Sequence, residues 1–225
     1  MPTKPKNTVN QVVMPAAAWW RVASNAMLCS SNDQTRRTLT GGYLHLTDGL
    51  VPVWRMVTTD SYTMLVEDIS EVKTELSFAD AGIIIPRATL KLTAGAAKSV
   101  CPKRRRGRLG DGPDVTIEWH RDSENESGYV GTVTIPGVDV FDLPAISGTY
   151  PDYTTIIDFQ LAATLEPVAY NPKYLARFTR VIYDDGPTLP MVIHPNSPTK
   201  ATKITFGKSP VFGMIMPVKV HHNEA

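Results

Sequence analysis

Few residues of this chain have types and spacing that suit catalysis. Asp60 could act as a general base with His45 nearby in the sequence, but an aspartate that bonds its own backbone in a turn explains the residue equally well. The pair His221-His222 lacks companions at metal-ligand spacing, and no nucleotide-binding or zinc-binding motif occurs. The sequence therefore predicts a protein that is not an enzyme and uses no cofactor or metal.

Lysine and arginine side chains could do a different kind of chemistry, the binding of phosphate groups. They occur on three predicted helices and in one loop, and the first two helices contain no acidic residue. Two interpretations stay open at this point: solvated helix faces with a basic surface loop, or a surface that contacts a polyanion. The residues are Arg21 on the first helix; Arg87, Lys91 and Lys98 on the second; Lys103, Arg104, Arg105, Arg106 and Arg108 in the loop; and Lys173, Arg177 and Arg180 on the third.

The compartment is indicated by the cysteines and by the absence of long apolar runs. Cys29 and Cys101 are isolated and do not form a CxxC pair, which favours a reducing compartment. No apolar run approaches the roughly 20 residues that a membrane span needs, and the start of the chain lacks the apolar stretch of a secretory signal. We expect a cytoplasmic protein without membrane contact.

The predicted helices that carry these cations are defined by their start signals and apolar periodicity. Pro15 precedes an apolar stretch with three- and four-residue spacing over residues 16–32, and Pro86 precedes a second helix over residues 87–100. In the third, Asn171 is predicted to cap a helix that has Pro172 in its first turn and continues over residues 173–185.

Each predicted helix lies between a short β-branched run and several strand-like segments, so the chain contains an internal repeat. We predict a polar lead over residues 1–11, a domain over 12–158 made of two units (12–70 and 82–158), a third single unit over 166–220, and a tail over 221–225. A unit of this kind exposes one face of a small sheet and must pair with a neighbour to bury it. An odd number therefore leaves one unit in need of a partner.

Six motifs, in order and spacing, resemble those of the bacterial DNA polymerase III beta subunit, the sliding clamp. Arg36, Leu39 and Gly41 match an arginine-leucine-glycine pattern, and Val57–Leu65 (VTTDSYTML) is similar to the family's VATDGHRLA, with Ser61 in place of glycine. The others follow in family order: GIIIPRATLKL resembles the VIVPRK helix opening, Tyr150–Tyr153 resembles FPDY, NPKYL resembles the last unit's helix start, and MIMPVKV resembles the terminal VVMPMRL.

The resemblance implies an α+β protein with the DNA-clamp fold: repeated β-α-β-β-β units, with helices on one side of antiparallel sheets. In such a fold the helices line the inner surface of a ring. The implied function is that of a polymerase processivity factor, and the basic residues named above become candidates for sequence-independent contacts with duplex DNA.

The resemblance also implies a surface pocket for short peptides of DNA polymerases and clamp loaders. Three segments that are distant in the sequence would form it. Carried over position by position, its residues are Thr59, Ser61, Tyr62, Thr63 and Met64; Pro151 and Ile156; and Met214, Met216, Pro217 and Val218. An apolar lining rich in methionine suits leucine or aromatic anchors, although Met214 and Met216 could equally fill the core beside a terminal strand.

The chain is short for this family, because a clamp subunit carries six units in three domains and three units are predicted here. The shortness suggests a viral or phage source, with the host cytoplasm as its location, and a head-to-tail homo-oligomer around DNA. A clamp-derived module that binds peptides, or competes for them, without encircling DNA is the alternative.

Overall fold

The computed structural model describes residues 9–48, 50–73, 82–103, 109–121, 128–158, 168–183 and 190–219. Eleven strands and four α-helices lie in these ranges, with a short 3₁₀ helix at Gln34–Leu39. The helices are α1 (Ala16–Cys29), α2 (Arg87–Val100), α3 (Thr154–Ile157) and α4 (Pro172–Phe178). The strands are β1 (Asn10–Pro15), β2 (Gly41–Leu46), β3 (Trp54–Thr59), β4 (Thr63–Ile69), β5 (Ile83–Pro86), β6 (Asp114–Arg121), β7 (Tyr129–Ile135), β8 (Asp139–Pro144), β9 (Met191–His194), β10 (Thr202–Phe206) and β11 (Val211–Ile215).

The first two units exchange their first strands. Strand β1 of the first unit pairs antiparallel with β6 of the second, while β5 of the second unit pairs antiparallel with β2 of the first. Two sheets result, in the orders β1-β6-β7-β8 and β5-β2-β3-β4-β11-β10-β9. Because each unit completes the other's sheet, neither sheet can form without the other unit.

The third unit extends the larger sheet through its last strand. Strand β11 pairs antiparallel with β4, the last strand of the first unit, with Met214 opposite Met64 and Gly213 opposite Leu65. Gly213 permits this packing, because a Cβ there would lie 2.3 Å from Cε1 of Phe178 on α4. Glycine at this position thus lets helix α4 of the third unit lie directly against β11.

The helices α1 and α2 pack against each other and against the inner faces of both sheets. Trp19, Val22, Leu90, Ile117 and Trp119 are fully buried in this core. A second core lies between α4 and strands β10 and β11, and a third lies on the opposite face of the larger sheet. None of the described helices is long and apolar enough to span a membrane.

The predicted helix starts are confirmed, but the first predicted helix ends at Cys29 instead of residue 32, and the helix of the third unit, α4, is much shorter than expected. The side chain of Asn171 accepts a hydrogen bond from the Lys173 amide, with Pro172 in the first turn. The helix ends at Phe178, and Val181 instead packs into the second core. The α+β fold class agrees with the sequence interpretation, and α1, α2 and α4 lie on one side of the larger sheet, whereas α3 packs against its opposite face.

A buried ionic network ties α1 to β4 and to the third unit. Nε of Arg21 donates to Glu67 at 2.7 Å, and another guanidinium nitrogen donates to Glu71 at 2.7 Å. Asn25 also donates to Glu67, and it bonds both the carbonyl and the amide of Ile182, which follows α4. The expectation that Arg21 contacts DNA is therefore wrong, because its side chain is only 5% exposed and is directed at two carboxylates.

This network makes a prediction about stability. Replacing Glu67 by alanine removes the buried partner of Arg21 and an acceptor of Asn25, so we expect the free energy of unfolding to fall by about 3 kcal/mol. The more exposed Glu71→Ala should cost about 1 kcal/mol. Chemical denaturation of both variants checks this, and equal losses would contradict the assignment of Glu67 as the centre of the network.

Candidate functional site

A cleft of ≈ 200 Å³ lies where the first and third units meet. Most of its walls come from three chain segments, the turn between β3 and β4, the segment around α3, and the end of β11, and Leu39 and Ala201 complete the lining. Most of its lining is apolar, including Met64, Met214 and Met216. Met214 is buried while Met216 is 37% exposed at the rim, so one methionine forms the floor and the other is accessible to a ligand.

The turn between β3 and β4 is held by Asp60. Its Oδ1 accepts hydrogen bonds from the amides of Tyr62 and Thr63, at 3.0 and 2.8 Å. Ser61 adopts φ = 76°, the left-handed region that favours glycine. The sliding-clamp motif that this segment resembles has glycine at the same position. The Ser61 hydroxyl accepts a hydrogen bond from Arg36, so the serine gains a local partner at a strained position.

Asp60 and Tyr62 also connect the cleft to helix α4. Oδ2 of Asp60 accepts a 2.5 Å hydrogen bond from Arg177, and the Tyr62 ring stacks on Tyr174 with centroids 5.3 Å apart. The guanidinium of Arg177 lies 4.9 Å from the centroid of the Tyr174 ring. One wall of the cleft is therefore anchored on the third unit. Asp60 is a structural acceptor in this arrangement, in agreement with the turn interpretation.

Aromatic side chains support the cleft from behind. The Tyr43 ring stacks between His45 and Tyr150, with centroid distances of 4.5 and 4.8 Å. Nδ1 of His45 lies 2.9 Å from the carbonyl oxygen of Leu46, so this nitrogen donates, and Nε2 accepts from the Tyr153 hydroxyl at 2.8 Å. Burial lowers the pKa of His45 and so favours the neutral ring that this pattern requires.

Most residues expected for the peptide pocket line this cleft. Thr59, Ser61, Tyr62, Thr63, Met64, Pro151, Ile156, Met214 and Met216 surround it, whereas Pro217 and Val218 do not. Five further residues line the cleft that the motif resemblance did not predict: Leu39, Asp152, Tyr153, Ala201 and Ile215. Leu39 and Tyr153 belong to motifs already recognised, so their motif positions were an available signal; Ala201 stands in no motif.

The expected DNA-binding cations fall into four groups. Lys91, Lys98, Lys173 and Arg180 are exposed on or just after α2 and α4, and Lys103 is exposed where the basic loop begins. Arg87 and Arg177 are half-buried and engaged in contacts within the chain. Arg21 is buried, and Arg104, Arg105, Arg106 and Arg108 lie outside the described residues.

Arg87 fastens the start of α2 to the end of α1. Its guanidinium donates to the carbonyl of Met27 at 2.6 Å and to the Ser30 hydroxyl. Burial lowers the pKa of Arg87, and the nearby charges of Arg177 and Arg180 act in the same direction. These residues place several cations around the contact between helices, with α1 touching both α2 and α4.

The helix side of the molecule carries positive charge without nearby helix carboxylates. None of α1, α2 and α4 contains an acidic residue. Nζ of Lys98 lies 4.9 Å from the ring of Trp20 on α1, so this helix contributes an aromatic ring and not a cation. Among the described residues, no cluster of histidine, cysteine or acidic side chains could hold a metal ion.

A larger cleft of ≈ 490 Å³ lies at the start of α2. It is bordered by Arg37, Arg87, Gln34 and the segment after β8. Of the expected site residues it contains only Arg87, which is already bonded to the end of α1. The smaller, more apolar cleft is therefore the one that matches the expected peptide pocket.

Solved structures of bacterial sliding clamps share this fold. The beta sliding clamp of Caulobacter crescentus matches with a TM-score of 0.71 and 16% identity, over 98% of this chain and 68% of the clamp. The Bartonella birtlesii clamp, solved with griselimycin bound, matches with a TM-score of 0.70 and 18% identity, over 98% of this chain and 69% of the clamp. The Thermotoga maritima clamp matches with a TM-score of 0.69 and 10% identity, over 98% of this chain and 68% of the clamp. Neither a protein-family model nor a curated protein sequence matches the chain. The clamp fold expected from the motifs is thus confirmed.

The neutral state of His45 gives a prediction about pH. The pKa of His45 is lowered in the folded state, so the unfolded chain takes up the proton first as the pH falls below the ordinary value of about 6.5. Stability that depends on neutral His45 is present above that pH and is lost as the pH approaches the folded pKa, at no more than about 1.4 kcal/mol per pH unit. We expect His45→Gln to remove this part of the decline below about pH 6.5. Identical pH profiles of unfolding free energy would contradict the assignment.

Proposed function

We propose that the protein is a DNA sliding clamp of reduced length, which surrounds duplex DNA and holds polymerase or clamp-loader peptides on it. The observation that carries the proposal is the combination, in a clamp fold, of acid-free helices with exposed cations and an apolar cleft at a unit junction. Both features are binding surfaces, and neither needs a reaction step.

The exposed cations suit a protein that moves along DNA. Lys91, Lys98, Lys173 and Arg180 carry flexible side chains on the same side of the sheets, where they can contact phosphates without reading bases. Contacts that are individually weak and insensitive to sequence permit sliding, because no position along the duplex is preferred. The affinity of such a surface falls steeply as salt concentration rises.

The cleft suits a short peptide with one or two apolar anchors. Its methionines can adjust to leucine or aromatic side chains of different shape, and Tyr62, which is 52% exposed, offers a flat ring at the entrance. A protein of this fold, the clamp of Bartonella birtlesii, was solved with griselimycin bound. For the present chain we propose peptides of replication proteins as the ligands.

The proposed DNA contacts can be tested on the exposed cations. In a double variant, Lys91→Ala and Lys98→Ala, we expect weaker binding to a fluorescent duplex and a shallower salt dependence. The log-log slope should fall by about 1.8, since each phosphate that a lysine no longer neutralises lowers it by about 0.9. Fluorescence anisotropy over a series of salt concentrations measures both the affinity and the slope.

The matched control is Lys203→Ala. Ile204 and Phe206 face the core beneath α4, so Lys203 lies on the other face of β10, where it covers the Phe212 ring at 4.6 Å. We expect its slope to equal that of the unmodified chain. Equal slopes for the double variant and the unmodified chain would contradict DNA contact through α2, and peptide binding without any DNA affinity would favour the non-encircling module.

The proposed peptide site can be tested at the rim of the cleft. Met216→Glu places a carboxylate at the apolar rim, and a peptide with leucine and aromatic anchors should then bind about tenfold more weakly or worse. Val218→Glu is the matched control, since Val218 is similarly exposed at 41% but lies outside the cleft. Calorimetric titration of both variants decides the matter. A peptide that is indifferent to Met216→Glu binds elsewhere.

A further inference from the structure

The described residues use two kinds of strand junction. First strands pair with second strands between units, as β5 does with β2 and β1 with β6. Last strands pair with last strands, as β4 does with β11. Both kinds are antiparallel, and together they account for every contact between strands of different units in the two sheets.

These junctions leave two sheet edges open. Within the part of the chain that the structure describes, strand β9, the second strand of the third unit, pairs only with β10, and β8, the last strand of the second unit, pairs only with β7. Among the described residues, no further backbone hydrogen bond reaches either edge. By contrast, the Ile146 amide bonds to Ile84 on the outer side of β5, and the Lys73 amide bonds to Val13 on the outer side of β1.

The edge of β9 is apolar as well as open. Val192 and Ile193 are 41% and 36% exposed, and the strand itself contains neither proline nor lysine, arginine or a carboxylate, while Pro190 and Pro195 stand at its two ends. An open edge of this kind is a template for another strand. In the first two units the position is filled by the first strand of the partner unit, so the third unit lacks the equivalent of β5.

We propose that the third unit pairs with the third unit of a second copy about a two-fold axis. Each copy contributes the segment directly before α4, residues 168–171, to the β9 edge of the other, as β1 and β5 do within the first domain. The pairing completes a domain from two half-domains, and the dimer then contains six units. The inference rests on the strand junctions of the fold and not on DNA binding, so the two proposals fail separately.

A head-to-tail order, expected from the sequence, would instead join β8 of one copy to β9 of the next. That junction would pair a last strand with a second strand, a combination that the two sheets do not contain. In the two-fold arrangement, β9 receives a first strand, and the β8 edges left at the two ends of the dimer are both last strands. They can pair with each other as β4 pairs with β11, so the assembly grows in steps of two copies.

The two-fold axis identifies a residue pair that can be tested. Within the chain, α1 and α2 are the equivalent helices of the first two units, and Lys98 of α2 lies over Trp20 of α1. If a two-fold axis relates these two helices, that contact places the axis near their midpoints, where Ala23 of α1 and Ala94 of α2 occupy equivalent positions. Both alanines are buried. The residue at the same distance from the start of α4 is Thr179, which is exposed and has no partner unit within the described chain.

The test uses Thr179→Cys in the full chain with a short thiol-specific cross-linker. Burial raises the pKa of Cys29 to about 12 and also raises that of Cys101, so the native thiols react slowly. We expect Thr179→Cys to give a covalent dimer, and the exposed control Val51→Cys to give none. An oligomer that forms without this cross-link would overturn the two-fold arrangement.

Light scattering of edge variants completes the experiment. We expect Val140→Lys on β8 to stop assembly at twice the chain mass, and Val192→Lys on β9 to weaken formation of that dimer about tenfold or more; Val51→Lys should leave the mass unchanged. A monomer at every concentration overturns the inference. It does so whether the Met191–His194 amides are protected from hydrogen exchange by the chain itself or exchange freely. DNA binding by such a monomer would leave the proposed DNA-contacting surface standing but not the encirclement, whereas a cross-linked dimer without DNA affinity would support the inference and contradict the proposed function.

Discussion

The junction between β4 and β11 is the constraint on which the rest of the structure depends. It joins the third unit to the first, and it is fixed by a carboxylate that is almost fully buried. Glu67 on β4 accepts hydrogen bonds from Arg21 and Asn25 of α1, and Asn25 in turn bonds both backbone groups of Ile182. A buried charge is tolerated only where its partners are complete. The network therefore fixes helix, sheet and third unit in one relative position.

That position also creates the candidate peptide site. The cleft exists because the end of β11 lies beside the start of β4, where Asp60 and Tyr62 are held against α4 by Arg177 and Tyr174. Arg177 thus links the turn that lines the cleft to helix α4 of the third unit.

The helix side is chemically uneven. On α2 and α4 the lysines are exposed, as is Arg180 just after α4, whereas α1 has its one cation turned inward and presents Trp20, over which Lys98 lies. A single helical position separates Trp20 from Arg21, which is enough to point one at the surface and the other at Glu67. Charge on this face is therefore supplied by the outer two helices of the row.

The sequence by itself determined the repeat, the order of strands and helices, and the three segments of the cleft, because apolar periodicity, the Asn171 cap and short motifs are local properties. Only the tertiary structure decided which cations are free. Arg21 and Lys91 are equivalent as letters on a predicted helix, but Arg21 meets two carboxylates from a distant strand and turn, and Lys91 meets solvent. The open edge of β9 is likewise a property of strand pairing, since an edge is defined by the neighbour that a strand lacks.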